Sequence, residues 1–172
     1  MKSVLCLSAS AFILTACAST QAPNPAPDMA IAGPGNNPVC KVTSGKEIAG
    51  LFDRWNQSLQ TLKPEAVAAN YAPRSLLLPT VSNKPRFTNE ERIDYFEHFL
   101  HNKPVGKIDQ RWLWIGCNTA IDAGLYSFTF GTTGQVVHAR YTFTYEWDGR
   151  DWLISSHHSS AMPEKTGEAT SH

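Results

Sequence analysis

The chain has 172 residues, of which 42% are hydrophobic and 17% are charged, a composition that supports one globular domain and argues against general disorder. Its 15 basic and 15 acidic side chains cancel to a formal net charge of zero. This balance removes the broad attraction to phosphates on which nucleic-acid binding depends, so no nucleic-acid partner is expected.

A short apolar segment at the start of the chain predicts export. Lys2 precedes an apolar run from Val4 to Leu14, which is too short to span a bilayer as a helix and is typical of a signal peptide. The run ends in the letters LTAC, which resemble the lipobox of bacterial prolipoproteins. Residues 1–16 are therefore predicted to be removed and Cys17 to be lipidated. The alternative is an ordinary signal peptide that is cut after a small residue.

A lipidated N-terminus predicts attachment to a membrane through acyl chains alone. Ala18 follows Cys17, and the aspartate associated with inner-membrane retention is absent. By resemblance to Gram-negative lipoproteins, the protein is expected on the outer membrane, facing the periplasm.

Two cysteines remain after processing, because Cys6 leaves with the signal peptide and Cys17 carries the lipid. An oxidising compartment favours a disulfide between Cys40 and Cys117. Two buried free thiols are the alternative.

Composition divides the mature chain into three parts. Residues 17–39 are mostly Ala, Pro, Asn and Gly and are predicted to form a disordered tether. Residues 40–164 carry the apolar patterns of a folded domain, and residues 165–172 are predicted to be a flexible tail.

Helices are predicted first in the domain. Ser44 and Glu47 have capping-box spacing and precede apolar residues at helical intervals, namely Ile48, Leu51, Phe52, Trp55, Leu59 and Leu62. A short second helix is expected over residues 65–71 and a short strand over residues 76–79. Thr88 and Glu91 mark a second capping box and a third helix.

Four β-rich segments follow, at about 107–116, 120–130, 135–147 and 151–160, with turn residues between them. Consecutive hairpins predict an antiparallel sheet, and helices followed by a meander predict the α+β class. Strand alternation predicts two apolar faces. One holds Tyr141, Phe143, Tyr145 and Trp147, and the other holds Trp112, Trp114, Trp152 and Ile154. We expect a second copy of the chain to cover the latter set, giving a homodimer or a higher oligomer.

Several strings, among them Leu78-Pro79-Thr80, residues 139–143 and the closing segment 157–163, resemble bacterial relatives of the calcium/calmodulin-dependent protein kinase II association domain. That family belongs to the nuclear transport factor 2-like (SnoaL-like) superfamily. The resemblance covers about residues 45–163. It implies a cone with a curved antiparallel sheet wrapped by N-terminal helices, a deep pocket, and dimerisation through the outer sheet face. No kinase activity is expected, since the kinase motifs are absent from the sequence.

The resemblance also guides the choice of candidate ligand-binding residues. Leu125, Phe143 and Ser159 stand where the kinase domain carries pocket arginines, so Arg111 and Arg140 become the candidate partners of an anionic ligand. Strand parity favours Arg111 on the concave side. Ion pairs of these arginines with Asp109, Asp122 or Glu146 are the alternative.

The remaining candidate ligand-binding residues are Ser127, Tyr141, His157, His158 and Ser159. His157 and His158 are adjacent on a strand and point to opposite faces, so at most one lines a pocket. That histidine would act as a hydrogen-bond donor or general base, or it is structural. Tyr141 is also compatible with a purely structural place in the core.

No metal or other cofactor is predicted. His98 and His101 lie one helical turn apart beside Glu97, a spacing that occurs by chance on solvated helix faces.

The sequence leaves two function classes open. One is an envelope-tethered module that binds a small anionic or apolar ligand or assembles into oligomers. The other is a small-molecule enzyme of the isomerase, dehydratase or cyclase type, which needs an acid or base in an apolar pocket. The scarcity of strand carboxylates favours the binding module.

Overall fold

The structure is a computed structural model that describes residues 39–163. In chain order, the elements are α1 (Gly45–Gln60), α2 (Pro64–Ala68), β1 (Tyr71–Leu78), α3 (Asn89–Leu100), β2 (Pro104–Ile115), β3 (Thr119–Phe130), β4 (Val136–Trp147) and β5 (Trp152–Ala161). The predicted signal peptide, nearly all of the tether and the tail lie outside this range. None of the helices within it is long and apolar enough to cross a membrane.

The first helix begins at its predicted cap and buries its predicted apolar side. The Ser44 hydroxyl accepts a hydrogen bond from the backbone N–H of Glu47, whereas the Glu47 carboxylate accepts from Thr43 and not from the cap backbone. Leu62 lies beyond the end of α1 and is 47% exposed, so its assignment to the buried stripe was wrong. The capping box at Thr88 and Glu91 is complete.

The second helix is shorter than predicted because Asn70 ends it. The Asn70 side-chain amide donates to the carbonyls of Ala66 and Val67, which satisfies acceptors at the helix C-terminus. Tyr71 then starts β1 and pairs with Ile154, so the strand begins where the sequence predicted the last helical residue.

The five strands form one sheet in the order β1-β5-β4-β3-β2. Strands β2 to β5 form the predicted antiparallel meander, and β1 joins in parallel beside β5. The core lies where α1 and α3 pack against one face of this sheet. The α+β prediction is therefore confirmed.

Irregularities in three strand pairs shape the sheet, one of them in the β1–β5 pair between Tyr71 and Leu76. The β2–β3 register shifts between Ile108 and Gln110, and the β4–β5 register shifts between Thr144 and Tyr145. Such bulges bend a strand and increase its twist. On β3, Gly124 faces the β2–β3 bulge, and a Cβ there would lie 2.0 Å from the Gln110 carbonyl oxygen. Only glycine permits this close approach of the two backbones.

The second apolar face contains only half of the residues that the sequence assigned to it. Trp112 and Trp114 are 62% and 60% exposed, whereas Trp152 and Ile154 are buried. Trp152 lies opposite Trp147 in the register, and directly opposed residues share a face of the sheet. Trp152 and Ile154 therefore point into the core.

The predicted disulfide between Cys40 and Cys117 is present. Beside it, the Lys41 backbone N–H donates to Asn118 Oδ1 at 2.7 Å, and Asn118 Nδ2 donates to the Val39 carbonyl. The start of the domain is thereby fastened to the turn between β2 and β3.

Candidate functional site

A cavity lies between the helices and the concave face of the sheet. Its volume is about 60 Å³, which holds a few water molecules or one small molecule. Most of its wall is apolar and comes from α1, α3, the strands and the loop after β1. The apolar lining consists of Trp55, Leu77, Pro79, Val81, Phe96, Phe99, Phe128, Phe130, Val137 and Ala139.

Four hydroxyl groups and one imidazole interrupt this apolar wall. The Tyr126 O–H donates to Ser159 Oγ at 2.5 Å, and Ser159 Oγ lies 2.5 Å from Thr80 Oγ1. The other two polar residues of the lining are Tyr95 and His157. Aspartate, glutamate, lysine and arginine are all absent from the described lining.

Strand register brings these hydroxyls together. Tyr126 on β3 lies opposite Ala139 on β4, and Ser159 on β5 lies opposite Tyr141 on β4. Because Ala139 is small, the Tyr126 ring extends over β4 and reaches Ser159. Thr80 approaches the same serine from the loop after β1, and this threonine is only partly buried.

The hydroxyl cluster has hydrogen-bonding capacity to spare. Thr80, Tyr126 and Ser159 carry three protons, and the two hydrogen bonds among them use two of these. Each hydroxyl oxygen has two lone pairs. One proton and several lone pairs therefore remain for a ligand. Burial raises the pKa of Tyr126, so its phenol keeps its proton at neutral pH.

His157 is held rigidly at the base of the cavity. Its ring stacks on Phe143, with centroids 4.0 Å apart, and meets Trp55 edge to face. Its Nδ1 lies 2.9 Å from the Tyr71 hydroxyl. Burial, with a smaller contribution from His158, lowers the pKa of His157 to about 3. The imidazole is therefore neutral at physiological pH.

A wider groove leads away from the cavity. It has a volume of about 500 Å³ and shares Val81, Tyr95, Phe99 and Phe130 with the cavity wall. The groove and the cavity are therefore adjacent and share part of their walls.

A second polar cluster on the concave face involves two of the predicted ligand-binding residues. Arg111 forms an ion pair with Asp122, which is the alternative that the sequence left open for this arginine. Tyr141 donates its hydroxyl proton to the same carboxylate at 2.8 Å. Neither Arg111 nor Tyr141 lines the cavity.

The other predicted ligand-binding residues divide between the two faces. His157 and Ser159 line the cavity. His158 and Arg140 are exposed, and Arg140 Nε donates to Ser160 on β5. Ser127 bonds to Asp109 at 3.3 Å. The cavity therefore lacks the arginine that the sequence analysis placed in it, because Arg111 turns toward Asp122 and Arg140 points outward.

Sequence reasoning missed Thr80 and the hydroxyl of Tyr126 as site groups. Tyr126 alternates with Phe128 and Phe130 on β3, which marks one face of a strand but says nothing about the hydroxyl's partner. Thr80 lies in a loop, where no periodicity operates. Among residues 39–163, no cluster of three or more His, Cys, Asp or Glu side chains has metal-binding geometry.

The fold and the cavity define a class of protein: a small α+β domain of the nuclear transport factor 2-like type, with a pocket between its helices and its sheet. A nuclear transport factor 2-like protein of unknown function from Pseudomonas putida KT2440 is 19% identical, with a TM-score of 0.61 over 70% of this chain and 88% of that one. The iota-carbonic anhydrase of a cyanobacterium, in complex with bicarbonate, is 18% identical, with a TM-score of 0.65 over 76% of this chain and 99% of that one.

Sequence comparison then identifies the family. The family model of the calcium/calmodulin dependent protein kinase II association domain matches residues 44–163, so the chain belongs to that family. A Xanthomonas campestris protein described as such a domain is 45% identical and covers 78% of this chain and 100% of its own length, with a TM-score of 0.67. A comparison with curated proteins gave no significant match.

Proposed function

We propose that the cavity binds carbon dioxide and bicarbonate and catalyses their interconversion. The observation that carries this proposal is the cluster of three linked hydroxyls, Thr80, Tyr126 and Ser159, in the wall of a small and mostly apolar cavity.

The size and polarity of the cavity favour this substrate. The cavity is small, with a volume of about 60 Å³, and suits a small molecule. The aromatic wall suits a neutral, apolar molecule such as carbon dioxide, and the absence of lysine and arginine from the lining disfavours retention of an anion. A pocket that accepts the neutral substrate and releases the charged product suits turnover more than storage.

The hydroxyl cluster supplies the polar contacts that hydration of carbon dioxide requires. A water molecule that donates to the free lone pairs of Ser159 or Thr80 is held for attack on the carbon atom. The water oxygen forms a bond to carbon, and the electron pair of one carbon–oxygen π bond moves to the oxygen of carbon dioxide. One O–H bond of the water breaks. The products are bicarbonate and one proton.

The proton has a physical route out of the site. The cluster runs from the buried Tyr126 through Ser159 to Thr80, which is in contact with solvent. Hydroxyl groups both donate and accept, so the proton passes along this chain to bulk water.

A protein with a similar fold is known in complex with bicarbonate. The cyanobacterial iota-carbonic anhydrase in complex with bicarbonate has a similar fold, although at 18% identity the likeness is one of fold alone. The proposal for this chain therefore rests on its own hydroxyl cluster.

Stopped-flow measurement of carbon dioxide hydration with a pH indicator tests the proposal on purified protein. Ser159→Ala and Tyr126→Phe should each lower kcat/KM by about 100-fold, as removal of a hydrogen-bonding group at a reacting oxygen does elsewhere. Ser156→Ala and Tyr145→Phe are matched controls, because neither residue lines the cavity, and they should retain activity. Equal loss in the controls, or an inactive wild-type protein, contradicts the catalytic proposal.

The second candidate is a binding module that uses the same cavity without turnover. The family assignment favours it, since the matching model is described as an association domain. Binding of ¹³C-bicarbonate to an inactive wild-type protein, abolished by Ser159→Ala, would decide for this function.

We also propose self-association through the outer sheet face and attachment to the envelope through Cys17. The support for self-association is the exposure of Trp112 and Trp114 on β2 together with the family assignment. The support for attachment is the sequence at positions 14–17.

A further inference from the structure

The hydrogen bond between Tyr71 and His157 determines which nitrogen of the imidazole carries the proton. The Tyr71 hydroxyl and His157 Nδ1 are 2.9 Å apart, and both side chains are buried. His157 Nε2 is buried and has no hydrogen-bond partner among the described residues. The orientation of this one bond therefore decides whether Nε2 carries a proton or a bare lone pair.

Both groups are neutral at physiological pH. Burial raises the pKa of Tyr71 well above its ordinary value and lowers the pKa of His157 to about 3. A neutral phenol has one O–H, and a neutral imidazole has one N–H and one bare nitrogen. Two arrangements of the bond are therefore available.

The two arrangements differ in the number of buried groups that they leave unbonded. If Nδ1 donated, the Tyr71 proton would have no acceptor in the described part of the chain and Nε2 would be a bare lone pair. If Tyr71 donates to Nδ1, the only unbonded group of the pair is Nε2–H. Each buried unsatisfied polar group costs about 1–3 kcal/mol, so the second arrangement is favoured.

We infer that Tyr71 fixes His157 in the Nε2–H form, and that His157 binds an oxygen atom of the ligand as a hydrogen-bond donor and does not act as a general base. His157 lines the cavity, and Tyr71 does not. Tyr71 is therefore a positioning residue that acts through His157.

This inference deepens the proposed function and rests on it for the identity of the ligand. His157 and the hydroxyl cluster line the same cavity, so we infer that Nε2–H and the free proton of the cluster act as two donors toward one ligand. Such a pair suits a ligand with two acceptor oxygens, such as carbon dioxide or bicarbonate. A fixed donor also stabilises the negative charge that develops on oxygen as water attacks the carbon.

The tautomer is measured directly by long-range ¹H–¹⁵N correlation spectroscopy on the ¹⁵N-labelled protein, with His157→Gln to assign the signals. The expected result is a protonated, pyrrole-type Nε2 and an unprotonated, pyridine-type Nδ1 in the wild type. Tyr71→Phe should lose this preference and give a mixture of forms. An Nδ1–H form in the wild-type protein overturns the inference, whether or not the variant folds.

Titration with ¹³C-bicarbonate separates this inference from the proposed function. If the inference and the proposed function are both correct, the Nε2–H proton signal shifts on addition of bicarbonate. The affinity for bicarbonate measured from this shift should be at least tenfold lower in Tyr71→Phe. An Nε2–H form that does not respond to bicarbonate, in a protein without hydration activity, contradicts the proposed ligand and leaves the tautomer assignment standing.

Discussion

Arg111 and Asp122 form an ion pair between β2 and β3, with 3.1 Å between Arg111 Nε and Asp122 Oδ1. The Asp122 side chain is completely buried, and the Arg111 side chain is 23% exposed. Burial raises the pKa of Asp122, while the hydrogen bond from Tyr141 and the charge of Arg111 oppose that shift. The charged form of this buried carboxylate therefore depends on its two partners.

Removing either member of the pair should destabilise the domain, and the loss in Arg111→Met should depend on pH. Asp122→Ala leaves a partly exposed guanidinium and should lower the free energy of unfolding by about 3 kcal/mol. The pKa of Asp122 is already raised in the wild type, and Arg111→Met removes a charge that lowers it, so the folded pKa rises further above the unfolded value of about 3.9. Stability from such a group is present at low pH and lost as the pH rises through the folded pKa. Urea unfolding should therefore show Arg111→Met recovering relative to wild type as the pH falls, and a pH-independent deficit would contradict this account.

The Cys40–Cys117 disulfide should contribute strongly to stability, because it joins residues 77 positions apart. Chain-entropy arguments give about 4–5 kcal/mol for a loop of that length. The double variant with Ser at both positions should unfold at a lower denaturant concentration, and its free energy of unfolding should be lower by that amount. Reduction of the wild-type protein should reproduce the loss, and reductant should have no effect on the double variant.

His157 should make the domain sensitive to acid. Its folded pKa of about 3 lies below the ordinary histidine value of about 6.5. Its stabilising contribution is therefore complete above about pH 6.5 and falls by about 1.4 kcal/mol per pH unit as the pH drops toward 3. The free energy of unfolding of His157→Gln should decline less steeply than that of wild type between about pH 6.5 and about pH 4.5. Parallel declines in the two proteins would show that the imidazole is accessible to protons in the folded state.

Trp112 and Trp114 should carry self-association, because aromatic anchors near the centre of an interface dominate its binding energy. Trp112→Glu or Trp114→Glu should give a folded monomer at micromolar concentration in sedimentation velocity experiments on the unlipidated chain from Cys40 onward. Lys107→Glu, on the same strand and 79% exposed at its side chain, is a control for added charge. A monomeric wild-type domain would refute the proposed interface.

Lipidation of Cys17 should be visible as incorporation of labelled palmitate in a bacterial host. Cys17→Ser should abolish the label and leave an uncleaved precursor. Free secretion of an unlabelled wild-type chain would establish the ordinary signal peptide in place of the lipobox.

The sequence predicted the elements well where local rules act alone. The caps at Ser44 and Thr88, the stripe of α1 and the four segments of the meander follow from hydrogen bonding at helix ends and from side-chain periodicity. The assignment of faces failed at Trp152 and Ile154. The face of a residue on β5 is set by the β4 residue that lies opposite it. The bulge in this pairing shifts which residues are opposite, and the sequence of one strand does not reveal such a shift.

The sequence by itself determined the α+β class, the family, the Cys40–Cys117 pairing and the presence of His157 and Ser159 among the candidate site residues. Only the tertiary structure decided that Thr80, Tyr126 and Ser159 form one hydroxyl cluster and that Arg111 is paired with Asp122. The reason is that these contacts join residues far apart in the chain. Their geometry depends on strand order, on the small side chain of Ala139 and on the bulges, none of which leaves a local pattern.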